Sequence, residues 1–463
     1  MRSSAGCAAP RRKGADIVEI AVPALEVCRR LVAAGRSAHV VGGCVRDLLL
    51  GRPAKDWDVA TSAWPDEVQR LFRRTIPTGI AHGTVTVLIG DVPIEVTTYR
   101  GEGAYTDARR PDHVVFGVTL EEDLARRDFT MNAIAYEPLV HATVDPFGGR
   151  ADLAARLIRA VGDPSARFRE DGLRVMRAIR FAAALGFAIE PATEAAIPGA
   201  LGSLARVSAE RVRDELLKLL AAPRPSVGLA IAERTGILGV VLPELAEGVG
   251  VAQNRFHRWD VWRHTVASVD ATPGDAITRL GALLHDVAKP RTAAPKPDAP
   301  GEFTFYRHDT VGAEMAEAIG RRLKLSNRDR EKVVALVGHH MFWYAPEWSD
   351  ATVRRFIRRV GAELIPDLFA MRAGDVVGRG FDEDPETELG ELRRRVEHVL
   401  AEDQALSIGD LAVTGDDVMR ALGVGPGRVV GEALRALLEE VIEDPELNTR
   451  ERLLARLAAM RRP

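Results

Sequence analysis

The chain has 463 residues, with 63 basic against 66 acidic side chains and a formal charge of −3. That balance excludes a protein that holds nucleic acid by bulk positive charge, while a local basic stripe stays open. Hydrophobic residues at 46% and charged residues at 28% describe a folded chain rather than a disordered one. At this length about two to four domains are expected.

The first residues, MRSSAGCAAPRRKGAD, carry charge but no apolar stretch, so no signal peptide is expected and residues 1–19 read as a flexible tail. Cys7, Cys28 and Cys44 form no CxxC pair, which argues against a thiolate zinc site or a disulfide scaffold and fits a reducing cytoplasm. No run approaches the ~18 apolar residues that span a bilayer, so no membrane partner is expected. From about residue 20 to 146 short β-rich runs mix with helices. His39 to Val41 predicts a strand end, and Cys44 to Leu50 a short helix stopped by Gly51. Thr84 to Ile89 and Ile94 to Tyr99 alternate like paired strands split by Gly90-Asp91. After about 146 strand signals nearly vanish. Glu170 to Leu185 predicts one helix with Leu173, Met176, Phe181 and Leu185 as its apolar stripe, and Arg206 to Leu220 another. The stretch Pro290 to Pro300 (PRTAAPKPDAP) predicts an exposed loop.

The densest chemistry lies in VVGGCVRDLLLGRPAKDWDVAT, Val40 to Thr61. A strand runs into Gly42-Gly43 and a helix starts at once. Two glycines let backbone N–H groups approach an anion, and the helix N-terminus adds partial positive charge. Arg46, one turn inside, is placed to reach phosphate. Asp56 and Asp58, at i and i+2, share one face if both lie on a strand. Paired carboxylates suit Mg²⁺, a hard cation that keeps phosphate oxygens as its other ligands. Glu95 on the later strand is a candidate third carboxylate. A lone Gly-Gly is usually a turn and a lone DxD a solvated pair; their joint spacing is what makes the pattern specific. GGCVRD lacks the third glycine of a dinucleotide fingerprint.

This segment resembles the signature of the tRNA nucleotidyltransferase and bacterial poly(A) polymerase family, within the polymerase-beta-like superfamily. The resemblance continues, in the family's order, through IAHGTVTV (Ile80 to Val87), EVTTYR (Glu95 to Arg100), Arg109-Arg110-Pro111 after Tyr105, LARRDFTMNA (Leu124 to Ala133), Asp145 to Gly149, Glu170 to Phe187 and Ser208 to Leu220. It implies an α+β fold: a nucleotidyltransferase head of small mixed sheet and helices over 20–146, then an all-α neck over 147–225. It implies Asp56 and Asp58 as Mg²⁺ ligands, with Glu95 beside them. Gly42, Gly43, Arg46, Arg127, Asp128 and Asn132 would hold a nucleoside triphosphate, and Asp171, Arg174, Arg177 and Arg180 would line the base and phosphate pocket. Those last four step by three along one predicted helix. An acceptor-only Asp171 beside a donor-only Arg174 matches the Watson–Crick edges of cytosine and adenine, and opposes those of uracil and guanine. The resemblance implies addition of C, C and A to the 3′ end of tRNA from CTP and ATP. Poly(A) polymerase and A-only addition are the near alternatives.

Six of eleven histidines fall between 257 and 340. His264, His285-Asp286 and Asp375 resemble the metal quartet of HD phosphohydrolases, with His308 and His339 (or His340) where a second metal's ligands would sit. Imidazole with carboxylate suits Mg, Mn, Ni, Co or Fe. His257 reads as an ordinary core or surface residue. The expected layout is a helical body with the HD-type domain over 226–380 and an acidic helical region over 381–463. A phosphohydrolase with a vestigial head is the alternative from another class; the intact Asp56/Asp58 pair opposes it. Between Asp382 and Glu446, 18 acidic residues face 6 basic ones, so this stretch carries −12 and the rest of the chain +9. The neutral total hides a basic head, neck and body suited to an RNA partner.

Overall fold

The computed structural model describes residues 19–102, 114–296, 302–402 and 406–460. It divides into two compact units, Met1–Glu215 with Ile231–Val241, and Leu216–Ala230 with Leu242–Pro463.

The first unit is built on a seven-stranded sheet. Its strands include β1 (Ala38–Val41), β2 (Asp58–Thr61), β3 (Thr75–Gly79), β4 (Thr84–Ile89) and β5 (Val92–Thr98). The order is β3-β4-β5-β2-β1, continued by Ala135–Glu137 and Ala142–Val144. Every pairing is antiparallel except β2 with β5, whose parallel register sets Asp58 opposite Glu95. Val41, Ala60, Tyr99, Leu124 and Ala135 pack into one apolar cluster behind the sheet. Burial of such side chains stabilises the unit by roughly 1.5–3 kcal/mol each for the larger ones. The short strands Leu157–Ile158 and Ala188–Ile189 are additions the sequence pattern did not announce.

The predicted Glu170–Leu185 helix is in fact two. Pro164–Glu170 ends at Asp171, which is extended (φ −144°, ψ 105°), and Leu173–Leu185 starts after Gly172. Gly172 packs so tightly on the helix Ile197–Leu204 that a Cβ would meet the Ser203 carbonyl carbon at 2.4 Å. Asp171 accepts the Leu173 N–H at 3.0 Å and lies just ahead of the second helix instead of within it.

The second unit is helical. Val261–Ala271 and Ile365–Gly378 cross at their small residues: a Cβ on Gly374 would meet Thr272 Oγ1 at 2.2 Å, and one on Gly378 would meet Ser268 Oγ at 2.1 Å. The acidic C-terminal segments have their own core of Leu411, Val418, Leu437, Val441, Leu453 and Leu457. In the stretch predicted as a loop, Lys289–Thr292 is a helical turn and Ala294–Pro295 pairs with Phe303–Thr304; residues 297–301 lie outside the described set. Among the described residues no helix is long and apolar enough to cross a membrane.

Candidate functional site: a nucleotide cleft and a histidine cluster

The first unit holds a cleft of about 450 Å³ at the turn between β1 and the helix Gly43–Leu49. Seven arginines and three aspartates line it, with Gly42, Gly43, Asn132 and Phe181. Gly42 is required twice over. Its φ is +78°, and a Cβ there would meet Arg127 Nη1 at 2.9 Å. Arg46 donates to Asn132 Oδ1 at 2.8 Å, and Asn132 donates in turn to Asp128 Oδ1 at 3.0 Å. Arg177 closes on Asp128 at 2.6 Å and Arg180 on Glu215 at 2.5 Å. The guanidiniums of Arg46, Arg177 and Arg180 lie 5.1, 5.4 and 3.7 Å from the Phe181 ring centre. Burial opposes ionisation of Asp128, but Arg177, Asn132 and the Phe129 N–H outweigh it and hold the carboxyl down at about 2. The cleft is therefore a fixed cationic wall, and the buried Arg127 Nε has no hydrogen-bond partner. An anion with several oxygens fits such a surface.

Asp58 opens β2, whereas Asp56 precedes the strand and is exposed, so the same-face argument for the pair does not apply as written. Their charges still meet. Burial, then Glu95, push the Asp58 carboxyl up to about 6 against the pull of Arg127, and Asp56 adds to the rise. A cation beside Asp58 relieves that opposition to its charge. This donor set, oxygen only, fits a hard divalent ion.

Asp171 does not pair with Arg174. Both its oxygens accept from Arg211, at 3.2 and 2.7 Å, while Arg174 is buried against Glu170 (2.5 Å) and the Arg167 and Arg126 carbonyls. Arg211, Glu170 and Glu215 were missed from sequence. Arg211 and Glu215 stand one turn apart on the helix Ala209–Leu220, and that spacing was the available signal. Tyr105 and Arg109-Arg110-Pro111 lie outside the described residues.

The second unit gathers His264, His285, Asp286, His308 and Asp375, all buried. His264 Nε2 lies 3.2 Å from His285 Nε2, 3.3 Å from Asp286 Oδ2 and 3.2 Å from Asp375 Oδ1. Across Asp286, its other oxygen Oδ1 faces His308 Nε2 at 3.5 Å and His340 Nε2 at 3.8 Å. Of His339 and His340, it is His340 that joins the cluster. His339 ends the helix Asn327–His339 beside Arg359, and His340 is buried with its Nε2 3.1 Å from that of His308. Adjacent helical residues point about 100° apart, so only one of the two can face the cluster.

His285, His308 and His340 each donate Nδ1–H to a carbonyl oxygen, of Ala282, Phe305 and Val337, at 2.7 Å. In the neutral ring each Nε2 then carries a lone pair that faces the neighbouring rings and carboxylates. That arrangement is repulsive unless cations sit within it, and the ring-to-carbonyl bonds are the usual support of metal-bound imidazole. Burial opposes charge on Asp286 and Asp375. For Asp286, His285 and Lys289 outweigh it; for Asp375, His264 and His285 do; both carboxyls stay well below the usual range. Burial likewise disfavours a charged His264, yet bonds to Asp286 and Asp375 push it up to about 9, so a proton stands where a cation fits. Lys289, three residues after Asp286, holds Asp286 Oδ2 at 2.6 Å and was also missed.

A glycine turn into a helix, carboxylates on neighbouring strands and an arginine-lined cleft define a nucleotidyltransferase head. Three family models match the chain: the poly A polymerase head domain over 38–159, the probable RNA and SrmB-binding site of polymerase A over 186–248, and the HD domain over 257–380. A CCA-adding enzyme of Geobacillus thermodenitrificans is 38% identical over 437 residues, 93% of this chain and 95% of that one. An A-adding tRNA nucleotidyltransferase of Deinococcus radiodurans is 39% identical over 418 residues, 87% and 91% of the two chains. The crystal structure of a Bacillus stearothermophilus CCA-adding enzyme in complex with CTP superposes with a TM-score of 0.73 at 32% identity, covering 94% of this chain and 96% of that one. The chain belongs to the tRNA nucleotidyltransferase family. The family implies use of a divalent metal.

Proposed function

We propose that this protein adds C, C and A to the 3′ end of tRNA from CTP and ATP, with release of pyrophosphate. The observation that carries the reading is likeness to CCA-adding enzymes along nearly the whole chain, with an arginine-lined cleft that holds Asp58. Asp56, Asp58 and Glu95 would hold Mg²⁺, which would lower the pKa of the tRNA hydroxyl and neutralise the phosphates. The Gly42-Gly43 turn, Arg46 and Arg127 would take the triphosphate. Asp171 and Arg174 would present acceptor and donor to the base, with Arg211 fixing Asp171. No template is then needed, because one pocket edge accepts cytosine and adenine alike.

A second reading, A-only addition, draws on the 39% identity to the Deinococcus radiodurans enzyme. Incubation of CTP alone with tRNA ending at its discriminator base separates the two. CCA addition gives a two-residue extension, and A-only addition gives none.

The histidine cluster would serve as a two-metal phosphohydrolase centre. His264, His285, Asp286 and Asp375 would hold one ion, and Asp286, through its other oxygen, His308 and His340 the other. Its imidazole content favours a transition ion over Mg²⁺. A 2′,3′-cyclic or terminal phosphate on damaged tRNA is the substrate that suits a tRNA end-processing enzyme. Hydrolysis of a 2′,3′-cyclic nucleotide that disappears in His285→Ala tests this.

A further inference from the structure

His257, read from the sequence as an ordinary residue, lies against the histidine cluster. Its ring meets that of His264 edge-on, centres 4.7 Å apart and planes at 90°. A ligand atom of His257 lies within 4.8 Å of one on His264 and one on Asp375. Its tautomer is fixed. Asn254 Oδ1 accepts from the Phe256 N–H at 3.1 Å, which marks that atom as the carboxamide oxygen, and it lies 3.1 Å from His257 Nδ1. His257 therefore donates from Nδ1 and keeps its lone pair on Nε2, the same state as His285, His308 and His340.

The segment that carries His257 is anchored to both elements around it. The Arg258 N–H donates to the Arg379 carbonyl at 2.9 Å, next to the helix bearing Asp375. Gln253 donates to the Trp259 carbonyl at 3.2 Å and accepts from Lys289 Nζ at 2.7 Å. Gly380, at φ +83°, leaves room for the Trp259 indole, which a Cβ would meet at 2.3 Å. These bonds place the imidazole instead of leaving it on a free loop. Ligands around one ion at ~2.1 Å stand about 3 Å apart when adjacent and about 4.2 Å apart when opposite. Toward His264 and Asp375, His257 stands within 4.8 Å, near the spacing of opposite ligands.

We propose that His257, through Nε2, is a fifth protein ligand of the ion held by His264, His285, Asp286 and Asp375. The proposal rests on the metal-centre reading of the cluster. It makes that donor set three imidazoles and two carboxylates, a borderline set that selects Mn²⁺, Fe²⁺, Co²⁺, Ni²⁺ or Zn²⁺ over Mg²⁺. A six-coordinate ion there would have room for one further ligand, such as a phosphoester oxygen. The ion of Asp286, His308 and His340 keeps more of its shell open, so the two ions differ in their freedom to take substrate.

The test is titration of the chelator-stripped full-length protein with Co²⁺, read by its visible absorption, with excess Mg²⁺ present to fill the oxygen-only site of the head. His257→Ala and His257→Gln are compared with wild type, with His339→Ala as a control outside the cluster. The expected result is an altered band position and intensity in both His257 variants and a Co²⁺ affinity lower by about tenfold or more, the scale on which loss of ligand support acts. His339→Ala matches wild type, and retained tRNA extension with an unchanged circular dichroism spectrum shows that the variants fold. Spectrum and affinity equal to wild type in both His257 variants would overturn the proposal and leave the quartet standing. Failure of wild type to take up Co²⁺, or uptake unchanged in His264→Ala, would overturn the metal-centre reading and this proposal with it.

Discussion

The two sites solve opposite problems with the same few residue types. In the head cleft the protein supplies charge and leaves coordination to the substrate. Seven arginines line an open surface with Asp58, and the exposed Asp56 and Glu95 add their charge beside it. In the histidine cluster the protein supplies nearly the whole coordination sphere. Six of its side chains are buried around two positions, and the rings of His285, His308 and His340 are each braced by a backbone carbonyl. An open oxygen-only site suits a labile ion that arrives with nucleotide; a buried nitrogen-rich site suits a resident one. The pairing within the cleft also differs from a loose basic patch. Arg177 with Asp128, Arg180 with Glu215, Arg174 with Glu170 and Arg211 with Asp171 hold the guanidiniums in place before substrate comes. Such preorganisation avoids reordering at the moment of reaction.

The comparison is broken most directly by removing one site and watching the other. Asp58→Ala should lower nucleotide incorporation by roughly a thousandfold or more, the several kcal/mol a catalytic ion supplies, with tRNA binding retained in a filter assay. Retained incorporation would refute the metal assignment. His285→Ala should abolish hydrolysis of a 2′,3′-cyclic nucleotide and leave tRNA extension within about twofold of wild type, as expected of sites that share no partner residues. Asp171→Ala should admit UTP, narrowing the C/A preference by roughly ten- to a hundredfold in relative kcat/KM, because an acceptor facing the base is lost. Arg211→Ala should relax the same preference less, since Asp171 remains but is no longer held. Unchanged selectivity in Asp171→Ala would refute the template argument.

A smaller effect concerns pH. Asp58, held up to about 6, must shed its proton to take a cation. Apparent Mg²⁺ affinity should therefore be level above pH 6 and fall about tenfold per pH unit below it. Magnesium titrations of single-nucleotide addition between pH 5 and 8 check this; a flat response down to pH 5 would remove Asp58 from the ion's ligands.

Much of the head was legible because its signals are local. The strand into Gly42-Gly43, the helix after it and the stop at Gly51 depend on neighbours in sequence, and the structure has them as Ala38–Val41, Gly43–Leu49 and a Gly51 φ of +69°. The break at Asp171-Gly172 was not legible, since the apolar period runs through it and its cause is the Ser203–Leu204 backbone about thirty residues on. That break took Asp171 off the helix face and gave it to Arg211. The choice between His339 and His340 was legible in hindsight. Val333, Leu336 and Val337 are the buried positions of that helix, and residue 340 continues their spacing. His257 had no sequence signal, because only the anchoring of its segment brings it to Asp375. The near-neutral charge concealed a cationic cleft and an acidic C-terminal stretch, which no total reveals.

The central claim is that one chain keeps two metal chemistries apart by donor type. Reconstitution of chelator-stripped wild-type protein tests it most directly, with tRNA extension and cyclic-nucleotide hydrolysis measured on the same sample. With Mg²⁺ alone the account predicts full extension and no hydrolysis, and hydrolysis should appear on adding Co²⁺, Ni²⁺ or Mn²⁺. Extension that waits for the transition ion, or hydrolysis fully restored by Mg²⁺, would contradict it.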